Sequence, residues 1–206
     1  MEYIIETKNL SKSYQKKAAV TSLNMHVRPG AIYGFIGRNG SGKSTTLKML
    51  CGLAHPTEGS IQLFGETLLQ DSVYRRIGVL IETAGLEPGG TAYENMLYKA
   101  MFMGIVEPKK QIQELLTQVG LESENKKKVK QFSMGMKQRL GIAMALLGGP
   151  DLLILDEPTN HLDQEIKKAL AKAIKNYSSS AILVCHEPDF YQELVDHIIK
   201  IENCNF

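Results

Sequence analysis

The chain has 206 residues, 43% hydrophobic and 22% charged, a length and composition that suit one globular domain with a real buried core. Its 24 basic and 22 acidic side chains leave a net charge of +2, too balanced to mark a nucleic-acid binder, so no nucleic acid is expected as partner. The three scattered cysteines, Cys51, Cys185 and Cys204, argue against a zinc site or disulfide framework, and no apolar run approaches the roughly 20 residues of a membrane helix.

The chain opens on Met1-Glu2-Tyr3-Ile4-Ile5-Glu6, acidic at once and without an apolar leader, so it does not read as a secretory signal. Residues 31–36 are an apolar run ending at Gly37, read as a buried strand. Leu47, Met49, Leu50 and Leu53 then predict a helix stopping near Gly52. Residues 61–64 alternate up to Gly65 and predict a half-exposed strand, and 77–81 an apolar one. After a loop at 85–90, Thr91 with Glu94 looks like a capping box opening a helix over 93–103. Pro108 opens another helix, with Ile112, Leu115, Leu116 and Val119 on one face and Gly120 as its stop. The run Lys126, Lys127, Lys128 and Lys130 reads as a solvated connector.

Met136, Leu140, Ala143, Met144 and Leu147 mark an amphipathic helix closed by Gly148, Gly149 and Pro150. Residues 152–155 form an apolar strand running into Asp156 and Glu157. Ile166, Leu170, Ala173 and Ile174 make a helix face, 181–185 a strand ending at His186, Phe190, Leu194 and Val195 a helix, and 198–201 a last strand. Apolar strands alternating with helices predict an α/β fold with a parallel sheet covered on both faces. Residues 85–132 break the alternation with helices only. They read as a helical subdomain inserted into a single domain, whose nucleotide-binding core is 1–84 and 133–206.

Gly37-Arg38-Asn39-Gly40-Ser41-Gly42-Lys43-Ser44 matches the phosphate-binding P-loop at every position, between a strand and a helix. Its glycines let backbone N–H groups close around phosphate oxygens at a helix N-terminus. Lys43 is expected to reach the outer phosphates and Ser44 to ligate Mg²⁺. The apolar strand at 152–155 delivers Asp156 to the sheet edge where ligands bind, as a second Mg²⁺ ligand, and leaves Glu157 to orient or deprotonate a water. His186, at the end of the next strand, is a candidate contact for the γ-phosphate. Ser133 is a plausible N-cap whose helix start makes an anion site.

Taken together, these motifs resemble the nucleotide-binding subunit of an ABC transporter over nearly the whole chain. Ser133-Met134-Gly135-Met136-Lys137 looks like a degenerate form of that family's signature segment, Asn160-His161-Leu162-Asp163 fits its D-loop, His186 fits its switch histidine, and Tyr14 falls where an adenine-stacking aromatic belongs. Glu82 stands where the family's Q-loop glutamine is usual, an exchange similar to cassettes of bacterial exporters of peptide antibiotics such as lantibiotics. The resemblance implies a P-loop NTPase (RecA-like) core with an N-terminal antiparallel β-subdomain and the inserted α-helical subdomain. It implies ATP and Mg²⁺ as ligands. ATP would be bound by Tyr14, Gly37, Asn39, Gly40, Ser41, Gly42, Lys43, Ser44 and Thr45, with Ser133, Gly135 and Asp163 contributed across a head-to-tail dimer. Ser44, Glu82 and Asp156 are the implied metal ligands, and Lys43, Glu157 and His186 the catalytic group.

The resemblance further implies a separate transmembrane permease and a second cassette, a homodimer forming on ATP binding. The chain would then sit in the cytoplasm, peripheral on the inner face of the membrane. It ends shortly after its last predicted strand, without the C-terminal extension of many such cassettes. Two alternatives are kept. His161 is similar to the D-loop of twin-cassette translation factors, which suggests a soluble ATPase acting on the ribosome. A P-loop kinase acting on a small substrate is the other, against which the Asp156-Glu157 pair and the Ser133 segment argue.

Overall fold

The computed structural model describes residues 2–15, 17–67, 71–81, 85–124 and 126–201. In chain order the strands and helices are β1 (Ile5–Tyr14), β2 (Lys17–Val27), β3 (Ile32–Ile36), α1 (Lys43–Leu50), β4 (Glu58–Leu63), β5 (Glu66–Thr67), α2 (Asp71–Tyr74), β6 (Ile77–Leu80), α3 (Ala92–Met103), α4 (Lys109–Gln118), α5 (Met134–Leu146), β7 (Leu152–Asp156), α6 (Gln164–Lys175), β8 (Ser180–Val184), α7 (Pro188–Tyr191) and β9 (His197–Lys200).

The central sheet runs β6-β7-β8-β3-β9, with every pair parallel. All five residues of β7 and of β8 are buried. Alternate side chains leave the sheet on opposite faces: Leu153, Leu155, Ala181 and Leu183 join a core built with α3 to α6, while Leu152, Ile154, Ile182 and Val184 join one built with α1 and a second sheet. Burial on both faces is why these strands read as unbroken apolar runs. The second sheet is antiparallel, in the order β2-β1-β4-β5. Its Ile5, Leu10, Val27, Ile61 and Leu63 pack with Phe35, Leu47 and Leu50.

Two of the elements expected from the pattern differ by more than a residue at an end. β4 begins three residues earlier, at Glu58, and ends at Leu63; Phe64 turns out of the strand at φ 56°. The helix expected over 190–195 is the single turn α7. Leu194 and Val195 still bond back to Tyr191, but Asp196 donates its N–H to the Ile32 carbonyl (2.8 Å) and accepts the Ile32 N–H on its carboxylate (2.8 Å). Those bonds commit the chain to β3 and end the helix.

The capping box forms: Thr91 Oγ1 accepts the Glu94 N–H and the Glu94 carboxylate accepts the Thr91 N–H. Buried Asn95 accepts from Glu87 N–H and donates to the carbonyls of Glu87 and Thr91, stitching the loop before α3 to its first turn. Lys99 crosses from α3 to donate to the Met144 carbonyl on α5 (2.6 Å), and burial lowers its ammonium to about 8. The lysine run is more than a solvated connector. Lys127 pairs with Glu124, Lys128 pairs with Glu94, and Val129 next along is buried and donates to the Gly90 carbonyl. Among the described residues no helix is long and apolar enough to cross a membrane.

Candidate functional site

Leaving β3, the chain turns through residues 37–42 into α1. Gly40 and Gly42 hold left-handed backbone (φ 79° and 96°), and a Cβ on Gly42 would lie 2.3 Å from the Ala19 carbonyl of β2. Only glycine fits that close approach, so the loop is pressed flat against β2. Lys43 is 7% exposed, its ammonium donating to the carbonyls of Gly37 (2.8 Å) and Arg38 (3.1 Å). The buried Ser41 hydroxyl has no hydrogen-bond partner among the described residues.

The parallel register then brings the second half of the site to the same edge. Asp156, the last residue of β7, pairs with Val184, the last of β8, and Glu157 N–H donates to the Val184 carbonyl (2.9 Å). Two residues past Val184, His186 places Nε2 3.1 Å from Glu157 Oε1. That is ion-pair distance, but the angle completes no hydrogen bond, and Oε1 is a buried acceptor with capacity unused. Burial raises the Glu157 carboxyl above the ordinary glutamate range. His186 and Lys43 pull it down and neighbouring Asp156 pushes it up, and burial prevails. Glu157 also holds φ 48°, a conformation costing a non-glycine residue about 1–3 kcal/mol. Gln138 on α5 supports it by donating to its carbonyl (3.1 Å).

A cavity of about 1070 Å³ opens over this edge, lined by Asn39, Gly40, Gly42, Lys43, Ser44 and Thr45 from the loop and by Asp156, Glu157 and His186 from the strand ends. Sequence reasoning did not single out several further lining residues, among them Ala19, Gln138 and Glu187. Ala19 carries no chemical signal, since its place follows from the backbone contact with Gly42. Gln138 sits within the segment following Ser133, where its offset along the helix was the available clue. His161 lines the cavity too, at φ 62°.

Other expected site residues lie outside that lining. Gly37 and Ser41 pack together within the loop: a Cβ on Gly37 would lie 2.6 Å from the Ser41 hydroxyl oxygen and 2.6 Å from the Ile201 carbonyl. Tyr14 is half exposed near the tip of the β1–β2 hairpin, with the Lys12 ammonium 5.1 Å from its ring centroid. Ser133 caps α5 by accepting the Met136 N–H (3.2 Å), as its sequence position predicted, with Gly135 in the first turn. Asp163 caps α6, its carboxylate taken up by the Ile166 N–H (2.9 Å). Glu82 lies outside the described residues, although Gly85, Leu86 and Pro88 shortly after it line the cavity. No cluster of three or more His, Cys, Asp or Glu suited to a metal ion occurs among the described residues. Among the oxygen-bearing side chains that line the cavity are the Ser44 hydroxyl and the Asp156 carboxylate.

Comparison with known proteins gives a consistent result. Residues 20–160 match the protein family described as ABC transporter. Over 204 residues the chain is 46% identical to the bacitracin transport ATP-binding protein BcrA of Bacillus licheniformis, an alignment covering 96% of this chain and 66% of that protein. The chain thus spans less than two thirds of that relative's length. It is 40% identical over 195 residues to the lantibiotic transport ATP-binding protein SrtF of Streptococcus pyogenes, covering 95% of this chain and 83% of SrtF. Among solved structures, an ATP-binding subunit of an ABC transporter superposes with a TM-score of 0.91 at 29% identity, over 97% of this chain and 86% of that one. A dimeric ATP-binding cassette in a post-hydrolysis state with ADP and Pi superposes with a TM-score of 0.87 at 28% identity, over 97% of this chain and 94% of its own.

Proposed function

The chain belongs to the ABC transporter ATP-binding family, and on that premise we propose that it binds and hydrolyses ATP to power export through a separate membrane-spanning permease. One observation carries the catalytic reading: the loop residues Lys43 and Ser44 and the strand-end residues Asp156, Glu157 and His186 line one cavity at the carboxyl edge of a parallel sheet.

Each group has a task its surroundings suit. The loop N–H groups and the start of α1 receive the phosphates. Lys43, now satisfied by two loop carbonyls, holds its charge where the outer phosphates would arrive. Ser44 and Asp156 supply hard oxygen donors for Mg²⁺, which usually takes few protein ligands and completes its shell with phosphate and water. When bound, that ion neutralises charge developing on the phosphates. Glu157 offers a buried carboxylate oxygen with unused acceptor capacity, and its raised basicity suits a group that takes a proton from water. His186 stands beside it to contact the γ-phosphate.

The partners follow from what the chain leaves uncovered. Ser133 and Gly135, at the start of α5, would serve the nucleotide of a second copy, while their neighbours Met134 and Lys137 line the chain's own cavity. Residues 85–132 would be the helical subdomain that meets the permease, with Glu82 also contacting it. In that stretch Tyr98, Met101, Phe102 and Val106 expose 53%, 68%, 91% and 86% of their surface, an apolar patch of the kind that marks a protein interface. Peptide antibiotics are the cargo class we assign, on the names of the bacitracin and lantibiotic relatives. The chain would work on the cytoplasmic face, held there by the permease. The names of those transport relatives leave the ribosomal alternative without support.

The test is ATP hydrolysis by the chain isolated from membranes with its permease. Lys43→Ala should abolish turnover and permease recovery should survive it. Unchanged turnover in Lys43→Ala, or membranes yielding no integral partner, overturns the reading.

A further inference from the structure

His186 makes its one side-chain polar contact among the described residues with Glu157, so something else must hold its ring there. The residues on either side of it are each tied to another element. Cys185 is 3% exposed, and its Sγ lies 3.5 Å from the Thr159 hydroxyl and accepts the Glu187 N–H at 3.4 Å. The Glu187 carboxylate accepts from the Lys167 ammonium on α6, at 2.6 Å. Lys167 is itself fixed, since its side chain is 17% exposed and its N–H donates to the carbonyl of the α6 cap, Asp163 (3.0 Å).

We infer that Lys167 and Glu187 are positioning residues for ATP hydrolysis: their ion pair, with Thr159 and Cys185, clamps the loop that holds the His186 imidazole against Glu157. This rests on the ATPase reading above. A half-buried charge pair suits the role better than an exposed one, because holding Lys167 in place costs it little further freedom and solvent screens the attraction less. The pair also connects the loop carrying His186 to the start of α6, so that a movement of residues 159–163 would be felt at the ring. Glu187 also lines the cavity, but neither Lys43 nor the phosphate loop takes part in the pair, so the clamp should act on turnover and leave nucleotide binding alone.

The experiment measures kcat, KM for ATP and nucleotide affinity in the full chain with its permease. Lys167→Met and Glu187→Gln should each lower kcat about tenfold, short of the roughly hundredfold that a full 1 Å misplacement of a catalytic group can cost, with KM and affinity unchanged. Lys167→Arg should retain most of the turnover. The exchange Lys167→Glu with Glu187→Lys should recover more than either single variant, as a paired interaction requires. Lys168→Met, one residue along on an exposed side chain, should match the parent. Parental kcat in both Lys167→Met and Glu187→Gln overturns the clamp and leaves the ATPase reading standing. So does a fall in kcat matched by an equal loss of affinity, or an exchange no better than the single variants. A parent that binds ATP and releases no phosphate overturns the ATPase reading itself. If Lys167→Met fails to fold, Glu187→Gln carries the same comparison.

Discussion

A Cβ built on Gly135 would lie 2.6 Å from the carbonyl oxygen of His161, so the first turn of α5 and the loop after β7 meet backbone to backbone. That contact joins the segment with the family's signature pattern to the loop that leaves the acidic strand. It also explains a glycine inside a helix, where alanine would otherwise be the better residue by about 1 kcal/mol. Gly135→Ala must push one backbone aside. We expect it to destabilise the chain by about 1–3 kcal/mol in urea denaturation, the usual range for overpacking, and to lower ATP turnover while nucleotide binding at the chain's own loop persists. A stability equal to or above the parent's would show that the two segments separate freely.

Glu157 is raised by burial, and the sign of its pH dependence follows. As a base it must be ionised, so turnover should fall as pH drops through a value above the ordinary glutamate range, at milder acidity than an exposed glutamate would give. For stability, the native state holds this proton more tightly than the unfolded chain does. Its contribution is therefore fully present below the unfolded glutamate pKa and is lost as pH rises through the higher native value. Glu157→Gln should then keep ATP binding, lose turnover by several orders of magnitude, and be no less stable than the parent at neutral pH. A pH–rate profile and thermal melts of both proteins check this.

The apolar face of α3 gives a prediction that separates energy coupling from catalysis. Phe102→Gln and Met101→Gln change side chains that are 91% and 68% exposed. Their stability should lie within about 0.5 kcal/mol of the parent, as for most surface substitutions. Recovery of the permease should drop sharply while the isolated chain binds ATP as before. Undiminished recovery of the permease with both changes together would remove this face as the docking surface.

The central strands were readable because burial on both faces makes each of them a short unbroken apolar run, as at Leu152, Leu153, Ile154 and Leu155. The antiparallel sheet was not readable that way. β1 shifts register against β2 at three points, between Thr7 and Ser13, so its buried residues do not keep a period of two; alternation revealed the strand at 61–64, and the rest of this sheet was implied by the resemblance to a family. The helix at 190–195 failed for a related reason. Its apolar spacing is helical, but the bonds between Asp196 and Ile32 claim the chain for the sheet after one turn.

What the sequence by itself determined was the chemistry: a glycine loop with Lys43 and Ser44, an acidic pair closing an apolar strand, and a histidine closing another. Those are legible because backbone conformation, charge and strand length are local properties. Only the tertiary structure decided which of these groups share a cavity. The parallel register of β7 and β8 sets His186 beside Glu157, and Lys167 meets Glu187 across 20 residues of chain. No local pattern contains those pairings, because each depends on where two separate elements come to rest in a common core.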